Sequence, residues 1–181
     1  MLTKLRKKIK ENEYVRYIEE HRINIYKAFE EMLLCPDMDW MNWNEELCCK
    51  LFNRVINHDI SKYSAEEFNP YREYYHPINA EEKANAAERF EQAWKHHWEN
   101  NDHHWQCRRR DMDGPRMTEE QQLACLENIL DWMAMGYKFN NRPYEYYESI
   151  KNKINLPQVQ IKFMEKIIYE GIDKQYIKEK K

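Results

Sequence analysis

Only three glycines, Gly114, Gly136 and Gly171, occur in a chain of 181 residues. Barrels, sandwiches and doubly wound sheets draw on glycine at their many tight turns, so this scarcity points to an all-helical fold. Charged residues make up 34% of the chain, yet 14% are aromatic. Disordered chains are poor in aromatics, so the polarity belongs to a solvated surface over a packed interior. The length fits one compact domain over residues 1–181, large enough to bury a core without disulfides or structural zinc.

Apolar residues recur at helical steps of three and four. A first helix is predicted over Tyr14 to Leu34, with Ile18, Ile25, Phe29 and Met32 inward and Pro36 after its end. Asn44 is placed to cap a second, which turns Leu47, Leu51 and Val55 inward and ends near Asn57 to Ile60. Residues 64–77, with two prolines and many tyrosines, read as a loop with a short helical turn. A third helix is predicted over Ala80 to Glu99, then a polar loop to Met117. Thr118 with Gln121 forms a capping box for a fourth helix reaching about Lys138. Pro143 and Pro157 suit the first turns of two shorter helices. The expectation is a bundle of about six to seven helices, with residues 1–12 and 174–181 peripheral.

The net charge of −3 excludes the electrostatic footprint of a general nucleic-acid binder. No stretch approaches the ~20 apolar residues of a membrane span, and the basic start lacks the apolar core of a secretory signal. The five cysteines (Cys35, Cys48, Cys49, Cys107, Cys125) are odd in number and form no CxxC spacing. They read as reduced thiols, which implies a cytoplasmic protein.

Ionisable residues on apolar faces carry the functional signal, because a buried charge must be paired or bind a metal. His21 lies between Ile18 and Ile25 on the first helix's inward stripe. His58 and Asp59 interrupt Val55-Ile56-Asn57-His58-Asp59-Ile60 at the end of the second. Asp131 is the sole charge in Ile129 to Met135. Each has an ordinary reading by itself: a hydrogen-bonded core histidine, a helix-end contact, a salt bridge. Their occurrence together on successive helices favours a metal. All seven histidines fall between positions 21 and 104, including the pairs His96-His97 and His103-His104. Imidazole with carboxylate suits a divalent transition ion, manganese, iron, cobalt or zinc.

These residues resemble the HD-domain superfamily, helical metal-dependent phosphohydrolases named for a His-Asp doublet. His58-Asp59-Ile60-Ser61-Lys62 is similar to the HDxxK form of its motif. The superfamily's order, an upstream histidine, the doublet and a distal aspartate, is matched by His21, His58-Asp59 and Asp131. A closer likeness, through HDISKYSAEEF, AWKHHWENNDHHW and LDWMAM, is to an uncharacterised family of bacterial and phage proteins. The Gly-Tyr-Pro signature of the cyclic-dinucleotide branch is absent; Asp111-Met112-Asp113-Gly114-Pro115 stands in that region.

The resemblance implies one ion held by His21, His58, Asp59 and Asp131, and a second, sharing Asp59, held with His97 and one or both of His103 and His104. His76 is the alternative to His97 as middle ligand. It implies an enzyme: a phosphohydrolase that uses metal-activated water on a nucleotide or other small phosphate ester. Asp59 and Lys62 are then catalytic, and Lys62, Arg108 and Arg109 contact the phosphates, within the run Arg108-Arg109-Arg110. Two other readings share these residues: a diiron oxygenase on the same cage, and a non-enzymatic module that binds a nucleotide or a protein.

Overall fold

A computed structural model describes residues 1–41, 43–107 and 116–180, and among these there are helices and no strand. The α-helices are α1 (Leu2–Leu33), α2 (Glu45–Asn57), α3 (Phe68–Tyr75), α4 (Ala80–Asn100), α5 (Glu119–Phe139), α6 (Pro143–Ile150), α7 (Gln158–Lys166) and α8 (Lys174–Glu179). Shorter 3-10 turns cover Pro36–Met41, Ile60–Tyr63 and Lys151–Lys153, and a π-turn covers Ile167–Ile172. No helix among the described residues is long and apolar enough to cross a membrane. All five cysteines are free thiols.

Several starts follow from capping chemistry. Asn44 accepts the Leu47 amide at 2.8 Å, and Thr118 and Gln121 close the expected capping box at the head of α5. Other bounds differ from expectation. α1 begins at Leu2 and not at Tyr14, because its first turns are rich in Lys and Arg, good helix formers that leave Leu2, Leu5 and Ile9 exposed. The turn expected in residues 64–77 is the two-turn helix α3, and α8 lies in a stretch read as peripheral.

The internal contacts divide the chain into two units. The first contains residues 1–22 and 59–101. Its core is small and aromatic: Tyr14, Ile18, Tyr71 and Ala93 are buried, with Tyr17, Tyr63, Phe68, Phe90 and Trp94 packed around them. α3 packs on α4 here. Beneath that contact the buried Arg72 forks onto both oxygens of Glu82, at 2.8 and 3.1 Å, and onto Glu73 at 2.8 Å. Asn79 caps α4 through the Glu82 amide. These ties fix the start of the helix that carries His96 and His97.

The second unit contains residues 23–58 and 102–181, of which 42, 108–115 and 181 are outside the described set. Its core is larger and mostly aliphatic, with Ile25, Met32, Leu51, Val55, Leu126, Ile129, Leu130 and Ile167 among its buried members. α5 packs against α2, α6 and α7. Two of the three glycines sit where a side chain has no room. A Cβ on Gly136 would stand 2.5 Å from the Asn141 carbonyl oxygen, and one on Gly171 would strike the Met38 thioether.

Candidate metal centre

The unit boundary falls inside the doublet, at the His58–Asp59 peptide bond. In the first unit, His21 continues the buried stripe of Tyr14 and Ile18 on α1 and is 6% exposed. Asp59 follows the end of α2 with φ 57 and ψ 18, a left-handed conformation that short polar side chains tolerate best after glycine. It is the residue before the turn Ile60–Tyr63 and is 2% exposed. His97 Nε2 stands 3.1 Å from Asp59 Oδ1, and His21 Nε2 stands 3.6 Å from Asp59 Oδ2. Lys62 forms an ion pair with the same Oδ2. Two ligand atoms on one zinc-sized ion lie about 3.0–3.4 Å apart, given bonds of about 2.0–2.1 Å. The His97–Asp59 spacing falls in that range, and His21–Asp59 lies just beyond it.

Glu67 stands behind these residues, fully buried. Its Oε2 accepts from His97 Nδ1 at 2.8 Å and from Ser61 at 3.1 Å, and its Oε1 accepts from His96 Nδ1 at 2.9 Å. Burial works to raise this carboxyl, but the hydrogen bonds and charge of His97, with those of His96 and Ser61, outweigh it and hold it below the usual range. For the His97 ring, burial opposes charge, and the pull of Asp59 and Glu67 prevails, so its pKa is raised. Ser61 and Glu67 meet the same ring nitrogen of His97. A serine nucleophile needs its base to touch serine and acid through opposite nitrogens, so this trio is not such a relay.

In the second unit, the stripe Leu47, Leu51, Val55 of α2 leads at the same spacing to His58, whose side chain is fully buried. His58 Nδ1 meets Glu127 Oε1 at 2.7 Å, and its Nε2 stands 4.0 Å from Asp131 Oδ1. His103 Nδ1 lies 3.2 Å from the same Glu127 oxygen, and its ring is 4.4 Å from that of His58 and 4.2 Å from that of His104. Arg54 donates through Nε to Glu127 Oε2 at 2.7 Å and also pairs with Asp102. Burial raises the Glu127 carboxyl, yet hydrogen bonds from His103 and His58 hold it well below its ordinary value. His58, His103 and Glu127 each offer a ligand atom within 4.8 Å of the others.

Residues 10–170 match the family described as "Family of unknown function (DUF5662)". The chain belongs to this family. No curated protein and no solved structure matches it. In this DUF5662 protein, buried histidine, aspartate and glutamate groups can hold a metal ion.

The geometry separates the candidates drawn from the family member's sequence. His97 faces Asp59, whereas His76 stands 3.7 Å from Glu13 and packs on Tyr14 and Tyr17. His103 is buried and His104 half-buried. Lys62 pairs with Asp59. Arg108, Arg109 and Arg110 lie outside the described residues.

Two buried glutamates were not anticipated. Glu127 lies four residues before Asp131 on α5, within the buried run Leu123 to Leu130, so widening the apolar window around Asp131 reveals it. Glu67 lies in Ser64-Ala65-Glu66-Glu67-Phe68, which has the look of an exposed turn and carries no such signal.

Proposed function

We propose that the protein is a metal-dependent phosphohydrolase acting on a nucleotide or other small phosphate ester. One observation carries the reading. Asp59, a buried carboxylate, has an imidazole Nε2 near each oxygen, from His97 and His21, and a lysine ammonium on the second oxygen. Imidazole and carboxylate together suit manganese, iron, cobalt or zinc. Such an ion, when bound, lowers the pKa of a water towards ~7 and draws charge from a phosphoryl oxygen.

The chain's own residues supply the rest. In the first unit Asp59 contributes negative charge, and His21 and His97 contribute neutral donors. In the second, Asp131 with His58 and His103 offers the same chemistry. Lys62 balances Asp59 and presents a point charge to a phosphate oxygen. The order His21, His58-Asp59, Asp131, similar to the HD-domain superfamily, supports hydrolysis as the reaction class.

The test is elemental analysis of tag-free protein purified without chelator, wild type beside Asp59→Ala, followed by a phosphate-ester panel under manganese or cobalt. One or two ions per chain, lost in the variant, with ester turnover by the wild type, is the expected result. No metal after reconstitution overturns the reading. So does bound iron with oxygen uptake and no ester turnover.

A further inference from the structure

Glu67 and Glu127 make the same contact in separate units. Each is a buried carboxylate against the Nδ1 atoms of two histidines, and each histidine for which both nitrogens are located turns Nε2 toward an aspartate. His97 places Nδ1 2.8 Å from Glu67 and Nε2 3.1 Å from Asp59. His58 places Nδ1 2.7 Å from Glu127 and Nε2 4.0 Å from Asp131. The short contacts lie below the about 3.0–3.4 Å that separates two ligands of one zinc-sized ion, so no ion fits with both atoms as ligands. They are hydrogen bonds. An ionised carboxylate only accepts, so Nδ1 carries a proton, and once an ion displaces the second proton that Asp59 favours, the neutral His97 ring offers its lone pair at Nε2.

We infer that Glu67 and Glu127 are positioning residues, not ligands, which hold His97 and His58 so that Nε2 is the metal-binding atom. The inference rests on the metal reading above and adds which atoms bind and what aims them. Arg54 and Ser61 complete the arrangement. Arg54 Nε occupies Glu127 Oε2 at 2.7 Å, and Ser61 lies 3.1 Å from Glu67 Oε2. Both glutamates are thereby fixed from behind. Carboxylate partners of this kind typically change metal affinity by about 10–100-fold when removed.

The experiment loads the full chain, with nitrogen-labelled histidine rings, with an NMR-active cadmium isotope. The expected result is one-bond coupling to cadmium at Nε2 of His97 and His58, with a proton on each Nδ1. Coupling at Nδ1 of either overturns the inference while leaving the metal reading intact. If no cadmium binds, the metal reading fails. The inference is then judged on the metal-free chain at a pH where the rings are neutral: a proton on Nδ1 supports the positioning role, and one on Nε2 overturns it.

Glu67→Gln and Glu127→Gln, each titrated with cobalt, test the same point by affinity. Unchanged stoichiometry and band positions, with binding weakened about 10–100-fold, is expected. Loss of an ion, as expected for Asp59→Asn, or a shift in the cobalt bands makes the glutamate a ligand. Unchanged affinity makes it merely structural. Either result overturns the inference, and if a variant does not fold, the wild-type ring assignments decide it.

Discussion

The two units hold similar donors on different foundations. In the first, Glu67 meets His96 and His97, and the His97 ring can lose its charge, within a small aromatic core. In the second, Glu127 is balanced by Arg54, which is cationic at every accessible pH, beside a larger aliphatic core. A buried carboxylate facing only histidines can shed its counter-charges when conditions change, whereas one locked to a guanidinium cannot. The first arrangement is therefore the more responsive to protons, and the second is closer to a permanent part of the scaffold.

The largest expected effect bears on the residue the first unit's donors share. Asp59→Ala should abolish metal retention, read by elemental analysis, because it removes the carboxylate that His21, His97 and Lys62 all face. Asp59→Asn should lose the metal as well while folding better, since asparagine tolerates the left-handed backbone at φ 57. Full occupancy in both variants would remove Asp59 from the ligand set.

The comparison sharpens at the glutamates. On chelator-treated protein, Glu127→Ala should cost about 3–5 kcal/mol, because it takes from the largely buried Arg54 Nε, and from His58 and His103, the carboxylate they share, leaving Arg54 only its outer pairing with Asp102. Glu67→Ala should cost about 1–3 kcal/mol, because the His97 ring can respond by becoming neutral. Urea unfolding measures both. Equal losses would show that the histidines hold their charge as firmly as the arginine does, and the contrast between the units would fall.

Proton linkage separates them again. The His97 pKa is raised above 6.5 in the fold, so its contribution is complete below that value and lost as pH rises through the folded one. Glu127 is lowered well below 4.5, so its contribution is present above 4.5 and lost as pH falls toward the folded value. Urea midpoints of chelator-treated protein should show a shallower alkaline decline in His97→Gln and a shallower acid decline in Glu127→Gln. An alkaline limb unchanged in His97→Gln would mean that Asp59 does not hold a proton on that ring.

Much of this is readable in the chain because burial and helical spacing coincide. His21 and His58 continue stripes of Tyr14-Ile18 and Leu47-Leu51-Val55, so a three- and four-residue count along the sequence is enough to expose them. Thr118 and Asn44 announce their helices because a cap is local chemistry, complete within four residues. The first turns of α1 carry no such signal, since Leu2, Leu5 and Ile9 cover no core and only propensity shapes them. Glu67 and Arg72 are hidden for a different reason. Each is buried by residues distant in sequence, His97 for one and Glu82 for the other, and a polar residue whose partner is remote looks the same as one in water.

The smallest expected effect tests whether surface charge follows the same rules as the buried pairs. Glu145, a partly exposed surface residue, has its pKa drawn down to about 2 by hydrogen bonds from Lys180 and Tyr176 and from the Arg142 amide. Its contribution is thus present above 4.5 and lost as pH falls from 4.5 toward about 2. Exposed pairs contribute only about 0–1 kcal/mol and are screened by salt. Glu145→Gln should therefore lower the melting temperature slightly at neutral pH and low salt, and the difference should vanish at high salt. Glu127, shielded from solvent, should keep its full effect in the same salt. If both variants lose their effects together, the burial of the second unit's glutamate is not what sets it apart.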